Sequence, residues 1–427
     1  MNRRDFLRQA GAYGAGFWAA TRRGYAQGKS PAEKLTIGVV GVSGRGGANL
    51  SGVAGQTIAA LCDVDDQRLG AAAQKFPQAR KYHDFRRMIE EGKDLDAVVV
   101  STADHTHAPA AAMAIRAGKH VYCEKPLTHS VFECRTVIEL AAKHKVATQM
   151  GTQIHAGSNY RRAVELVQAG AVGKIAEAHV WVGGGYPAGD PPKDTPPCPP
   201  HLHWDLWLGP AAERPYHPTY HPGSWRKWWN FGSGHLGDFG CHYMDLAFWA
   251  LGLRHPLTVE AEGPPVHPEG TPGWIIVTWT FPARGSLPPV KLTWYNGGKK
   301  PPHATDGRLG GWKGNGVLFV GEKGMLVADY DNHKLFPEAD FKDYARPPRS
   351  IPESIGHHAE WIRACKERTP TTCNFDYSGT LAEAVLLGNV AYRTGKKLDW
   401  DAQALKARNC PEADRFIRRE YRKGWTL

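Results

Sequence analysis

The chain has 427 residues, more than a single hydrophobic core usually serves, because cores stop growing at about 250–300 residues. Hydrophobic residues make up 42% and charged residues 22%, which argues against disorder, and no apolar run reaches the roughly 20 residues that cross a bilayer. The net charge of +11 is spread along the chain, with no recognisable nucleic-acid module around its basic clusters, so a basic solvated surface is expected rather than nucleic-acid binding.

Residues 1–30 read as a leader. Asn2-Arg3-Arg4-Asp5-Phe6-Leu7-Arg8 resembles the twin-arginine export signature, and a Gly/Ala-rich stretch from Ala10 to Ala20 follows it. Gly24 and Ala26 offer small residues at a cleavage site, although Arg22 and Arg23 interrupt the approach. The expectation is export to the periplasm; a leader that does not function leaves the protein cytoplasmic. The eight cysteines contain no CxxC pair and no tight framework, so buried free thiols are expected rather than disulfides.

Leu35–Val40 is a β-branched apolar run, as a buried parallel strand requires, and it enters Gly41-Val42-Ser43-Gly44-Arg45-Gly46-Gly47 before a helix. A glycine turn at that place lets the backbone approach a pyrophosphate, and the helix N-terminus supplies N–H groups and positive dipole. Ser43 stands where the second glycine of G-x-G-x-x-G is usual. A second strand, Thr57–Cys62, ends at Asp63, 22 residues beyond Gly41, where a carboxylate accepts ribose hydroxyls and repels a 2′-phosphate. NAD is therefore expected over NADP, with Arg45 the one residue that could favour a phosphate. Leu95–Thr102 and Lys119–Cys123 are further strands, followed by the turn Asp104-His105-Thr106-His107 and by Glu124-Lys125-Pro126. Strands alternating with helices imply βαβ units and a parallel sheet, with ligands at the C-terminal strand ends.

These features together resemble the glucose–fructose oxidoreductase/inositol dehydrogenase (Gfo/Idh/MocA) family, Glu124-Lys125-Pro126 most specifically. The resemblance implies an α/β fold: a Rossmann doubly wound parallel sheet over residues 31–153, then an α+β domain with a large open, mostly antiparallel sheet over 154–375. A C-terminal helical segment, 376–427, would pack back on the body. Expected cofactor contacts are Gly41, Ser43, Gly44, Arg45, Gly46, Asp63, Thr102, His105, His107, Glu124 and Lys125, with NAD held tightly if the enzyme recycles it. Subunits are expected to pair as a dimer or tetramer through the open sheet.

In the second half, Ile154–Gly170 reads as a helix and Ile175–Val182 as a strand with one face buried. Gly183–Pro222 is too long for a simple connection; its many aromatic residues either pack on sugar faces or fix an insertion to the core. Within Gly232–Asp245, Asp238 and His242 are four apart and share one helix face. Hydride removal from an alcohol carbon requires loss of the hydroxyl proton, work suited to histidine, and Lys125 can polarise the same oxygen. This set is similar to the family's catalytic constellation, which implies catalytic roles for Lys125, Asp238 and His242; the alternative is a capped helix start with His242 as packing. Tyr160, Arg161, Trp225, His235 and Tyr243 are the expected substrate contacts. His201, His203, His217, His221 and His235 form no compact ligand pattern in sequence, and no metal is expected. Trp274–Phe281, Val290–Tyr295 and a hairpin over Gly316–Asp329 supply strands, and helices from His357 and over Leu381–Tyr392 should pack on the first domain.

The function expected is an NAD(P)-dependent oxidoreductase acting on a secondary alcohol of a sugar, inositol or related polyol. The alternative enzyme is an NAD-dependent glycoside hydrolase that oxidises its sugar transiently, eliminates, adds water and re-reduces. A non-enzymatic sugar-binding scaffold is disfavoured because Lys125, Asp238 and His242 occur together.

Overall fold

Short apolar runs with few polar interruptions can only be satisfied where both faces of a sheet are covered. In the computed structural model, which describes Ser30 and residues 32–427, four such runs and two short, more polar strands form a six-stranded parallel sheet; Arg3, Arg4 and the rest of the leader signature lie outside the described residues. The strands are β1 (Thr36–Val40), β2 (Thr57–Cys62), β3 (Arg80–Tyr82), β4 (Ala97–Val100), β5 (His120–Cys123) and β6 (Thr148–Met150). Their order, β3-β2-β1-β4-β5-β6, reverses between β1 and β4, which opens a crevice at the carboxyl ends of those two strands.

Three of the five helices between them start where side chains cap free N–H groups. Asp65 caps α2 (Asp66–Lys75), Asp84 caps α3 (Phe85–Glu91), and Ser130 with Glu133 forms a capping box on α5 (Val131–His144). α1 (Arg45–Val53) has no side-chain cap. The Asp104–His107 segment, expected as a turn, is the first turn of α4 (Asp104–Arg116). Pro109 lies inside that helix and cannot donate to the His105 carbonyl four residues back; Arg419 donates to that carbonyl instead.

Helix α6 (Ser158–Gln168) follows a short 3₁₀ turn, and a second sheet begins at β7 (Ile175–Val182). After α7 (Trp204–Leu208) and α8 (Gly234–Leu251) come β8 (Thr258–Glu262), β9 (Ile276–Phe281), β10 (Val290–Asn296), β11 (Gly316–Gly321), β12 (Gly324–Ala328) and β13 (His333–Phe336). The chain closes with α9 (His357–Glu367), α10 (Phe375–Thr394), β14 (Leu398–Asp401), β15 (Lys406–Ala407) and α11 (Asp414–Ile417). The nine strands run β13-β12-β11-β7-β10-β9-β8-β14-β15, antiparallel except at β7–β10. The last segment, expected to be helical, thus also adds two strands to the sheet edge.

One core cluster runs continuously from α4 and α5 through α10 and α8 to the second sheet. A second cluster fills the other face of the parallel sheet, where Trp361 and Cys365 of α9 pack on Ile37, Leu50 and Val99. α9 and α10 therefore return to the first domain, as their amphipathic patterns predict. The face of the second sheet turned from these helices is not bare. Trp181, Tyr295, Leu318 and Val327 are covered by Leu309, with Trp312 beside them. All eight cysteines are free, and all but Cys198 are buried. Among the described residues no helix is long and apolar enough to cross a membrane.

Candidate active site

The crevice beyond β1 is shaped by backbone. Gly41 has φ 81°, and a Cβ there would lie 2.5 Å from the Ser101 carbonyl oxygen; a Cβ at Gly46 would lie 2.1 Å from the carbonyl oxygen of Gly41. Only glycine fits either place. Gly44, with φ 55°, precedes α1, and no acidic residue occupies the first turn, so the helix's leading N–H groups stay available to an anion. This explains the displaced glycine: Ser43 projects from the loop as an exposed residue, and Gly44 makes the bend.

Asp63 ties the loop to β2, its carboxylate accepting from the N–H of Val42 at 3.0 Å and of Asp65 at 3.1 Å. Burial pushes its pKa up, opposed by those two bonds. Gly41, Ser43, Gly44, Arg45, Asp63, Thr102 and His105 all line one cavity of about 420 Å³. Its roof comes from the long insertion, through Trp207 and His221, from Trp225 and Arg226 just beyond it, and from Trp425 near the C-terminus. The insertion's aromatic residues serve mainly as its own core: Trp207, Tyr220, Trp225, Trp228 and Phe231 cluster together against Val64 and Ala103. A glycine cradle, an uncapped helix N-terminus and a carboxylate at the end of β2 fit the pyrophosphate and adenosine ribose of a dinucleotide.

Several expected contacts have their polar atoms engaged within the protein itself. His107 is buried with its nitrogens on the carbonyls of Pro126 (2.8 Å) and Thr102 (3.0 Å), so it fixes the Glu124–Pro126 loop. His105 similarly binds the carbonyls of Trp207 (2.9 Å) and Phe231 (3.3 Å) and rivets the insertion to α4. Burial pushes His107 down to about 4 and His105 to about 3, so each neutral ring donates to one of its two carbonyls and only faces the other. Glu124 faces inward, accepting from Asn49 and Gln153 at 2.8 Å each, and burial raises its pKa. Gly46 acts through its missing side chain rather than as a wall of the cavity.

The second part of the site is made of charges. Lys125, whose peptide bond to Pro126 is cis, projects from the end of β5 and pairs with the Asp238 carboxylate on α8. Its ammonium also donates to the Asp238 carbonyl oxygen at 2.6 Å. Asp238 further receives Arg226 Nε at 3.1 Å and the Tyr186 hydroxyl at 2.7 Å. Burial alone would raise the Asp238 pKa; Lys125 and Arg226 outweigh it and hold the carboxyl well below the usual range. Asp104, at the start of α4, is buried beside the same cations, and burial pushes it up to about 7 despite their attraction. Because Arg226 also lines the cavity, it joins the cofactor cleft to this charged corner.

His242 lies one turn beyond Asp238 on the same helix, as the spacing predicts. Desolvation holds its imidazole well below the ordinary range, and Lys125 acts in the same direction, so the free ring is neutral. Tyr330 stands edge-on to His242 with ring centres 6.4 Å apart and stacks on Tyr243 at 4.6 Å, while Asn315 donates to the Tyr243 hydroxyl at 2.9 Å. Tyr160 reaches Tyr330 from beneath, and its buried hydroxyl has no partner among the described residues. His235 packs between Phe239 and Tyr186, with its Nδ1 also unpartnered. Tyr160, His235 and Tyr243 are thus gathered around the Asp238–His242 face of α8.

Two substrate expectations are corrected. Arg161 points away, donating to the Pro352 carbonyl at 2.8 Å above Trp249, and Trp225 is a wall of the cofactor cavity. Sequence reasoning missed Arg226, Tyr186, Asp104, Tyr330 and Asn315. Asp104 alone left a signal, as an acid directly after an apolar strand.

Comparisons with known proteins match both halves of the chain. The family described as "Oxidoreductase family, NAD-binding Rossmann fold", GFO_IDH_MocA, matches residues 35–152, and its companion "Oxidoreductase family, C-terminal alpha/beta domain" matches residues 174–286. Inositol 2-dehydrogenase of Salmonella typhimurium is 30% identical over 151 residues, 34% of this chain and 45% of that protein. A glycosyl hydrolase family 109 protein of Shewanella pealeana is 26% identical over 202 residues, 41% of this chain and 44% of the relative. The chain thus spans a little under half the length of these curated relatives. The WlbA dehydrogenase of Bordetella pertussis, solved with NADH and UDP-GlcNAcA, superposes with a TM-score of 0.62 at 16% identity, covering 86% of this chain and 99% of the other. That likeness establishes the shared fold.

Proposed function

The chain belongs to the Gfo/Idh/MocA oxidoreductase family, and from that premise we propose that it transfers a hydride between NAD and a secondary alcohol carbon of a sugar, inositol or related polyol. The observation that carries this reading is the buried Lys125–Asp238 pair with a neutral His242 one turn away, joined through Arg226 to the dinucleotide cleft. NAD, when bound, supplies the hydride acceptor or donor. The glycine loop and the N-terminus of α1 would hold its pyrophosphate, and Asp63 its adenosine ribose. Asp63 favours NAD over NADP because a 2′-phosphate would meet its carboxylate.

The chain's own chemistry is proton chemistry. The Lys125 ammonium, held in place by Asp238, donates to the substrate oxygen and stabilises the negative charge that grows there as its proton leaves. His242, unprotonated at neutral pH, takes the hydroxyl proton in oxidation and returns it in reduction. Asp238, kept ionised by Lys125 and Arg226, positions the lysine. Tyr243 and Asn315 offer polar groups beside His242 for the remaining hydroxyls of a polyol.

The test is NADH formation with a panel of inositols, sugars and sugar acids, run with NAD and NADP in parallel. NAD reduction by a polyol, lost in Lys125→Met, supports the reading; no turnover with any polyol contradicts it. The likeness to a glycosyl hydrolase family 109 protein supports a second reading, the redox-neutral glycosidase, for which an aryl glycoside would release its phenol without net NADH. Export by the twin-arginine route, proposed from Arg3, Arg4 and the stretch to Ala26, predicts a processed protein in the periplasm. Pairing of subunits through the second sheet is a proposal that light scattering tests.

A further inference from the structure

The structure assigns a metal site to Asp66, His83 and His203: we propose that these residues bind one divalent transition-metal ion, for which zinc is the probe, and clamp the insertion to the Rossmann domain beside the cofactor cleft. Asp66 opens α2, His83 lies between β3 and α3, and His203 precedes α7 in the insertion. His203 Nε2 is 3.0 Å, and His83 Nε2 3.3 Å, from the same Asp66 Oδ1. One ligand atom from each residue lies within 4.8 Å of the others. Metal–ligand bonds of about 2.0–2.2 Å at tetrahedral angles place donor atoms about 3.3–3.6 Å apart, close to this spacing.

Hydrogen bonding argues for a cation there. His83 Nδ1 faces the Asp63 carbonyl oxygen at 3.0 Å, an acceptor, so in the neutral ring Nδ1 carries the hydrogen. His83 Nε2 then turns a bare lone pair toward a carboxylate oxygen. The two rings stack with centres 4.0 Å apart, so both Nε2 atoms converge on the same carboxylate oxygen. A metal ion would accept both imidazole lone pairs and the carboxylate oxygen at once. Imidazole and carboxylate donors suit zinc and its neighbours rather than calcium or magnesium.

The backbone is already set for the clamp. The His203 N–H donates to the Val64 carbonyl at 2.8 Å, and the Asp66 N–H to the His201 carbonyl at 2.9 Å. The side chains remain partly open, at 38% for His83, 39% for His203 and 48% for Asp66, so an ion can enter and keep a water ligand. His83 is itself a wall of the cofactor cavity, so occupancy would stiffen that cavity where the insertion meets the domain.

Tag-free full-length protein, stripped by chelator, is titrated with zinc by calorimetry at neutral pH. One saturable equivalent is expected, weakened at least tenfold in His83→Ala and His203→Ala and unchanged in His217→Ala. The zinc-loaded wild type should melt a few degrees higher than the stripped protein. Should either variant fail to fold, cobalt added to the wild type decides through its visible spectrum: intense bands of four- or five-coordinate cobalt support the site, and a hexaaqua-like spectrum overturns it. Absence of saturable zinc binding, or equal binding in all four proteins, also overturns it.

Discussion

The dinucleotide cleft and the charged corner that adjoins it are built by different physics. The cleft is mostly backbone: two glycines with no room for a Cβ, an uncapped helix and one carboxylate, all between Gly41 and Asp63. The corner is side chains drawn from β5, the insertion and α8, and it holds together because Lys125 and Arg226 converge on Asp238. A site made of backbone depends on shape, whereas a site made of opposed charges depends on protonation. Substitutions should therefore separate the two regions.

The largest effect is expected from Lys125→Met. Turnover should fall about 10³-fold, from loss of charge stabilisation and proton relay, with NAD affinity within about threefold of wild type. Equal loss of both would merge the two regions.

Asp104 sharpens the comparison through pH. Its folded pKa, raised to about 7 from 3.8, means that the fold favours the protonated form. Stability is therefore lost as pH rises from 3.8 through 7, by at most about 4 kcal/mol, and the full cost is felt at pH 8. Asp104→Asn should unfold at higher urea than wild type at pH 8 and at nearly the same urea at pH 4. The kcat profile should also lose an inflection near pH 7 in this variant. An inflection that survives would belong to His242 and contradict its depressed pKa.

Smaller effects fall on the cleft. Gly46→Ala forces the loop away from the Gly41 carbonyl, and strain of about 1–3 kcal/mol should weaken NAD binding about 10- to 100-fold, read by fluorescence titration. The residual kcat at saturating NAD should stay near wild type. Asp63→Ala should narrow the preference for NAD over NADP by about tenfold, because a single hydrogen-bonding carboxylate is lost.

What was legible in the sequence follows the same division. The strand, glycine turn and Asp63 are close together in the chain, and their spacing alone specifies the cleft. Lys125 and the Asp238–His242 face were also readable, since each rests on a local pattern. Their partners were not. Tyr186 lies in, and Arg226 just beyond, a Pro/Gly/Trp-rich insertion whose path no periodicity encodes, and the docking of that insertion also brings His203 to His83, 120 residues earlier. Trp225 was misplaced for the same reason: aromatic composition says that a residue is buried, not which wall it forms. The Asp104–His107 turn concealed a helix because Pro109 reads as a breaker, and the compensating donor, Arg419, is more than 300 residues away.

The most direct test of the account takes one sample of Lys125→Met and one of wild type, and measures on each both the Kd for NAD and single-turnover NADH formation with the best polyol. Affinities within about threefold are expected, with NADH formation about 10³-fold slower in the variant. Turnover retained by the variant would place the chemistry elsewhere, and lost affinity would show that the cleft and the charged corner are one site.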